Sequence, residues 1–231
     1  MQIGALGDIH GAFDTVQDIM ARHPDVKIWV SVGDVASNEG EYFAPVAPLF
    51  WIMGNNEDFD LVAAARSGRS PAPNLRYLAN GGPYEIGPWR VAALGGTYAP
   101  TWYNTPAAHL PPSKGRKTGA TSLKLGKSRD DKRRHFVRDE VLACKRLKQI
   151  DVLLTHEAPR PFYPAGRRID AGKTVINDII AAIQPRLHLF GHHHEFTDSM
   201  RQGRRSIGLD LVTRSYLLID AETFTCERLD T

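Results

Sequence analysis

Cysteine is scarce: Cys144 and Cys226 are the only two in 231 residues. They form no CxxC pair and cannot build a disulfide framework, so both are expected to be structural thiols in a reducing, cytoplasmic setting. No apolar run approaches the roughly 20 residues that span a bilayer, which argues against a membrane protein. The opening MQIGALGDIHG has no basic segment followed by an apolar stretch, so no secretory signal is expected. Internal repeats and an interdomain linker are also absent. The whole chain, 1–231, therefore reads as a single domain.

What is present is an ordinary globular composition, 42% apolar and 24% charged. The net charge of +3 is unevenly spread. Between Pro112 and Lys148 stand thirteen Lys and Arg against four acids, a balance of +9 that leaves the remainder at −6. Such asymmetry points either to an anionic partner or to a solvated surface segment.

Short apolar runs suited to buried strands lie at Gln2–Leu6, Val26–Val32, Leu49–Ile52, Val91–Leu94, Val152–Leu154 and Leu187–Phe190. Helical patterns fall between them at Phe13–Arg22, Phe59–Arg66, His135–Gln149 and Ala171–Ile183. Alternating strand and helix predicts an α/β architecture. The stretches Arg205–Leu211, Ser215–Asp220 and Phe224–Leu229 read as consecutive strands of an antiparallel meander. From Pro71 to Pro88, repeated Pro and Gly predict turns and short strands. Residues 97–134 show no periodicity, and a stretch of that length in a compact domain is a functional or disordered loop. It begins an insert at about 97–148.

Polar residues are concentrated just beyond these strands. Asp8 and His10 follow the first, Asp34 the second and Asn55 the third; His156 follows Val152–Leu154, and His192 and His194 follow Leu187–Phe190. Ligands of α/β sheets bind outside the carboxyl ends of strands. Alone, each residue is ordinary, because Asp-Gly and Asn-Gly pairs are common turn chemistry. Seven of them in the same place relative to their strands call for one explanation. Two Asp, one Asn and four His form a mixed oxygen and nitrogen donor set that suits Mn, Fe or Zn. Seven donors exceed the needs of one catalytic ion but suit two divalent ions about 3.5–4 Å apart.

In order and spacing, GDIHG (7–11), GDV (33–35), GNNED (54–58), TH (155–156) and GHHH (191–194) resemble the signature of calcineurin-like metallophosphoesterases. The resemblance implies a four-layer αββα fold of two mixed β-sheets flanked by helices. It implies that Asp8, His10 and His194 hold one metal, that Asn55, His156 and His192 hold the other, and that Asp34 bridges them. The reaction implied is hydrolysis of a phosphoester by direct attack of a metal-bridging hydroxide.

Three features depart from the family. Its pattern places His directly after the metal-binding Asn, as acid or phosphate ligand, whereas this chain has Asn56. An amide donates hydrogen bonds but not protons. Glu57, His193, His109 and His135 are the candidates to replace it; Asp34, Asn56 and His193 are assigned direct catalytic roles. Family members without this His resemble phosphodiesterases more than monoesterases. Second, GDVASNEG lacks the Arg of the GDxxDRG branches. Third, the basic segment 112–148, with Trp102, Tyr103 and Phe136, could track an RNA or DNA backbone and stack a base; the helix there loosely resembles lariat-debranching members. The expectation is a phosphodiesterase on a nucleotide or nucleic acid. Its alternatives are a phosphomonoesterase on a small metabolite and a non-catalytic metal-binding scaffold. His23 and His188 are expected to be structural.

Overall fold

The computed structural model describes residues 1–113, 131–201 and 203–231. In chain order come β1 (Gln2–Leu6), α1 (Phe13–Arg22), β2 (Trp29–Ser31), β3 (Leu49–Trp51), α2 (Phe59–Arg66), β4 (Leu75–Tyr77), β5 (Gly81–Ile86) and β6 (Trp89–Leu94). Short 3-10 turns follow at Ala107–His109 and Lys132–Arg134. Then come α3 (Arg138–Lys145), β7 (Val152–Thr155), α4 (Thr174–Ile183), β8 (Leu187–Phe190), β9 (Thr197–Arg201), β10 (Arg204–Gly208), β11 (Ser215–Asp220) and β12 (Cys226–Asp230).

The strands form two mixed six-stranded sheets, ordered β12-β11-β1-β2-β3-β4 and β5-β6-β7-β8-β10-β9. β1 to β4 are mutually parallel in the first, and β6, β7, β8 and β10 in the second. Strand alternation sorts the side chains. Ile3, Ala5, Val30 and Val32 point inward against Val91, Ala93, Leu154 and Leu189 of the other sheet. Leu6, Trp29, Leu49 and Trp51 point outward and are covered by Val16, Ile19 and Met20 of α1 and Val62 of α2. On the far side, Ile176, Ile179, Ile180 and Ile183 of α4 and Val141 and Cys144 of α3 cover Ala92, Leu94 and Leu153. The layers are therefore helix, sheet, sheet, helix, as the resemblance implied. Cys144 is a structural thiol: it donates to the Ala93 carbonyl, and burial pushes its pKa up to about 12.

Two sequence expectations need correction. The C-terminal strands do not form a meander. β10 pairs parallel with β8 in the second sheet, and the chain then crosses so that β11 inserts between β1 and β12 of the first. β11 is buried on both faces along most of its length, as a central strand must be, and an apolar run cannot reveal which sheet it completes. The helix expected over His135–Gln149 is shorter. It starts at Arg138, where Glu140 accepts the Val137 N–H, because His135 is held in an extended segment beside Thr97.

His188 is structural, as expected. It is fully buried on β8, with Nε2 2.8 Å from Thr155 Oγ1 and Nδ1 3.1 Å from Ser206 Oγ. The Thr155 hydroxyl donates to the Glu157 carbonyl, so it accepts from His188 Nε2–H and leaves Nδ1 for the Ser206 hydroxyl. Burial lowers the His188 pKa from 6.5 to about 3. The neutral ring is therefore the folded form, and its stabilisation is complete above pH 6.5 and lost as pH falls toward 3. The ceiling of that loss is about 4–5 kcal/mol at 1.36 kcal/mol per unit. Urea unfolding of the wild type and His188→Asn at pH 7, 5.5 and 4 should give a shallower acid loss for the variant. Parallel losses would remove His188 as the cause.

Candidate metal centre

Parallel strands of both sheets deliver their carboxyl ends to one rim. β1, β2 and β3 lead to Asp8 and His10, Asp34, and Asn55, while β7 and β8 lead to His156 and to His192 and His194. The turns are tight enough that His10, Asp34, His192 and His194 all have positive φ, between 48° and 72°. A non-glycine residue adopts that conformation at a cost of order 1–3 kcal/mol, and its recurrence at four of seven candidate ligands marks a site held by its surroundings. Backbone approaches the carboxylates closely: a Cβ on Gly54 would collide with Asp34 Oδ1, and one on Gly191 with Asp8 Oδ1.

Asp8, His10 and His194 bring ligand atoms within 4.8 Å of one another, and so do Asp8, Asp34 and His156. Among the described residues the ion-pair partners of Asp8 and Asp34 are imidazoles only: His194 at 3.1 Å from Asp8, and His10 and His156 at 3.5 and 3.7 Å from Asp34. Both carboxylates are 1% exposed. His156 Nδ1 lies 2.8 Å from the Val32 carbonyl, which can only accept, so Nδ1 carries the proton and Nε2 is the ligand face. That face meets Asn55 Oδ1 at 3.2 Å. Likewise, His10 Nε2 and His194 Nε2 face each other at 3.1 Å. Converging lone pairs with buried carboxylates between them are stabilised by cations, and the donor set fits divalent ions.

His192 places its ring against that of His156, with centroids 4.9 Å apart, and donates its backbone N–H to Asp8. Burial drives its pKa down to about 2, so the ring is neutral. Burial alone would raise Asp8, but the His194 hydrogen bond, the charges of His156 and His194 and the His192 N–H hold it below the usual range. Asp34 is raised, by burial and by Asp8, against His156, His10 and the Asn56 N–H. Asp34 and Asp8 thereby raise His156 despite its burial, and the Asp8 hydrogen bond raises His194.

Asn56 is 9% exposed; its Nδ2 lies 3.0 Å from His10 Nδ1 and donates to the Ala36 carbonyl at 3.2 Å. Glu57 accepts the N–H groups of Val35, Gly54 and Ala36 and the Tyr42 hydroxyl, so both its oxygens are engaged within the protein. Burial and Asp34 push its carboxyl up to about 7. His193 stacks on Phe162, 4.6 Å between centroids, and burial lowers it to about 4, which makes it a neutral ring. His135 is buried, within hydrogen-bonding distance of Thr97, and burial lowers it to about 4. His109 ends an exposed 3-10 turn.

Sequence reasoning missed three braces: Tyr42, Glu157 and Lys173. Glu157 follows His156, accepts the Tyr98 N–H and pairs with Lys173 at 3.3 Å. An acid directly after a candidate ligand was the available signal; Tyr42 and Lys173 left none. Of the basic segment, 114–130 lies outside the described residues. In the rest, Arg133 is neutralised by Asp131 and Asp60, and Phe136 is fully buried in the core, which corrects its reading as a base-stacking ring.

The family model for calcineurin-like phosphoesterases matches residues 1–196. The chain belongs to the calcineurin-like phosphoesterase family. A Haemophilus influenzae protein of uncharacterized function is 27% identical over 201 residues, covering 82% of this phosphoesterase and 81% of the relative. The crystal structure of TT1561 from Thermus thermophilus superposes with a TM-score of 0.64 at 15% identity, over 99% of this chain and 98% of that one. An archaeal phosphodiesterase gives 0.50 at 12% identity over the full length of both. At such identities these likenesses concern the fold. Among the described residues of this phosphoesterase, no helix is long and apolar enough to cross a membrane.

Proposed function

We propose that this phosphoesterase is a phosphodiesterase acting on a nucleotide or nucleic-acid substrate, with two divalent ions, Mn, Fe or Zn, at the rim. On this reading Asp8, His10 and His194 hold one ion, Asn55, His156 and His192 the other, and Asp34 is shared. Bound there, the ions supply Lewis acidity to the phosphoryl group and acidify water. The protein's own part is positional. The Val32 carbonyl fixes the His156 tautomer, the Asn56 amide packs against His10, and Glu57 ties the Asp34 and Asn55 turns together.

The observation that carries the diester reading is Asn56. It stands where the family has His, its amide is engaged by His10 and Ala36, and an amide supplies no proton. Glu57 is fully engaged and His193 is neutral at pH 7, so neither supplies a proton in its place. A stable leaving group such as p-nitrophenolate can depart from a phosphodiester without acid assistance, whereas the alkoxide of a nucleotide diester would take its proton from solvent.

Mn-loaded protein should hydrolyse bis-p-nitrophenyl phosphate with a kcat/KM at least about tenfold above that for the p-nitrophenyl monoester. Across substituted phenyl diesters the rate should fall steeply with leaving-group pKa, as expected without a general acid. Activity confined to the monoester would refute the diesterase reading.

A further inference from the structure

Between His156 and α4 the chain leaves the rim at Ala158 and returns at Lys173. Its neck is closed by Lys173 N–H to the Ala158 carbonyl, 2.9 Å, and by Ala171 N–H to the Phe162 carbonyl, 2.7 Å. Inside the neck, Asp170 accepts the N–H groups of Phe162 and Gly172 and the Arg160 Nε–H. From α4, Asn177 accepts the Arg160 N–H and donates to its carbonyl. The excursion is thus closed and braced at its base.

It is also fastened to the turn that carries His192 and His194. The Phe162 ring stacks on His193, and Ala165 N–H donates to Glu195 Oε2 at 2.8 Å. Beyond these anchors the tip is open to solvent. Tyr163 is 58% and Ile169 81% exposed, and Arg167 and Arg168 are both exposed. Neither Arg167 nor Arg168 forms an ion pair or side-chain hydrogen bond among the described residues, in contrast to Arg160, which is bound to Asp170. Two unpaired guanidinium groups on a braced loop present forked N–H donors that an oxyanion accepts in pairs. Tyr163, exposed on the same tip, offers a face for a planar ring.

Resting on the phosphodiesterase reading and extending it to the substrate, we propose that this tip is the specificity element of the centre. Arg167 and Arg168 bind a second phosphate of a nucleotide substrate whose scissile phosphate lies at the metal rim, with Tyr163 against its base. The substrate class is therefore a nucleotide unit with at least two phosphates, either a small dinucleotide or the end of an oligonucleotide.

The test compares the Mn-loaded wild type with Arg167→Ala/Arg168→Ala on three substrates: bis-p-nitrophenyl phosphate, 5′-phosphorylated dithymidylate and a thymidine dodecamer. In the double variant, KM for the dinucleotide should rise about tenfold with kcat little changed. The rise of wild-type KM between 50 and 200 mM salt should flatten, since the screened contacts are gone. bis-p-nitrophenyl phosphate carries no second anionic group, so any change in its KM should be at least fivefold smaller. Tyr163→Ala should raise the dinucleotide KM while keeping the salt dependence. A larger effect on the dodecamer than on the dinucleotide would identify a nucleic-acid end as the source of the second phosphate, and equal effects a small nucleotide.

Unchanged dinucleotide KM and salt dependence would overturn the proposal, and so would equal losses on all three substrates, which would mark the tip as structural. If the wild type hydrolyses none of them, the phosphodiesterase reading fails. Anisotropy of a labelled dinucleotide then decides the tip separately: tighter binding by the wild type supports it, and equal binding by both proteins overturns it.

Discussion

Asp34→Asn will leave the protein folded, cut hydrolysis on the order of a thousandfold and erase the thermal gain from divalent metal. Asparagine suits this position on two counts. Asp34 has φ of +53°, a left-handed conformation that Asn tolerates better than most residues. Its amide oxygen can still accept the Asn56 N–H that now donates to Asp34 Oδ1 at 2.7 Å. What disappears is the anion. In the metal-free protein burial and Asp8 disfavour that charge, so the variant should melt at the same temperature as the wild type or above it. With metal the order reverses. An ion at a thousand times its dissociation constant adds about 4 kcal/mol to the wild type, which at 2–4 °C per kcal/mol is on the order of 10 °C. The variant should gain little. kcat/KM should fall on the order of a thousandfold, the scale of removing one preorganised electrostatic group. Calorimetry with and without Mn, beside a diester assay, reads all three outcomes; more than a tenth of wild-type activity in the variant would remove Asp34 from the centre.

Glu57→Gln, though nearly isosteric, will cost roughly 1–3 kcal/mol of stability. Every group facing the carboxylate is a donor: Val35 and Gly54 N–H on one oxygen, Ala36 N–H and the Tyr42 hydroxyl on the other. Glutamine must turn an NH2 toward one of these pairs. Turned toward Ala36 and Tyr42, the NH2 can donate to the Tyr42 oxygen, which leaves the Ala36 N–H facing it; a buried donor left unsatisfied costs about 1–3 kcal/mol. Because Glu57 joins the turn after β2 to the turn after β3, the same change should loosen Asp34 against Asn55 and weaken metal affinity. Chemical denaturation of the metal-free protein gives the first quantity and a metal titration the second. A loss below about 1 kcal/mol would mean that the four hydrogen bonds are not maintained in solution.

These two residues show where sequence reading succeeds. Asp34 was legible because a polar residue directly beyond an apolar run, repeated after five strands, has few causes other than a shared site. Glu57 was legible only as an acid near the centre, one candidate among several for a proton donor. Its role depends on the backbone N–H groups of another turn, which sequence does not order in space. Asn56 was legible as a departure, whereas its orientation toward His10 was not. The sheets followed the same division. Alternation and apolar runs located most strands. The crossing between β10 and β11 was hidden, because a strand buried on both faces reads alike in either sheet. Phe136 was misplaced for a similar cause: an aromatic among basic residues looks solvent-facing until its neighbours are known.

The division of the donors between two sheets also sets the order in which the site can come into being. Asp8, Asp34 and Asn55 leave the ribosome a hundred or more residues ahead of His156 and still further ahead of His192 and His194. The first sheet does not receive β11, the antiparallel partner of β1, until residues 215–220 have been made. On the proposed two-ion reading, metal capture is therefore a late event in the life of the nascent chain. Until then the early carboxylates must be carried without the imidazoles that later surround them, and a messenger cut short before β11 would yield a polypeptide with every candidate ligand in its sequence and an incomplete sheet to hold them.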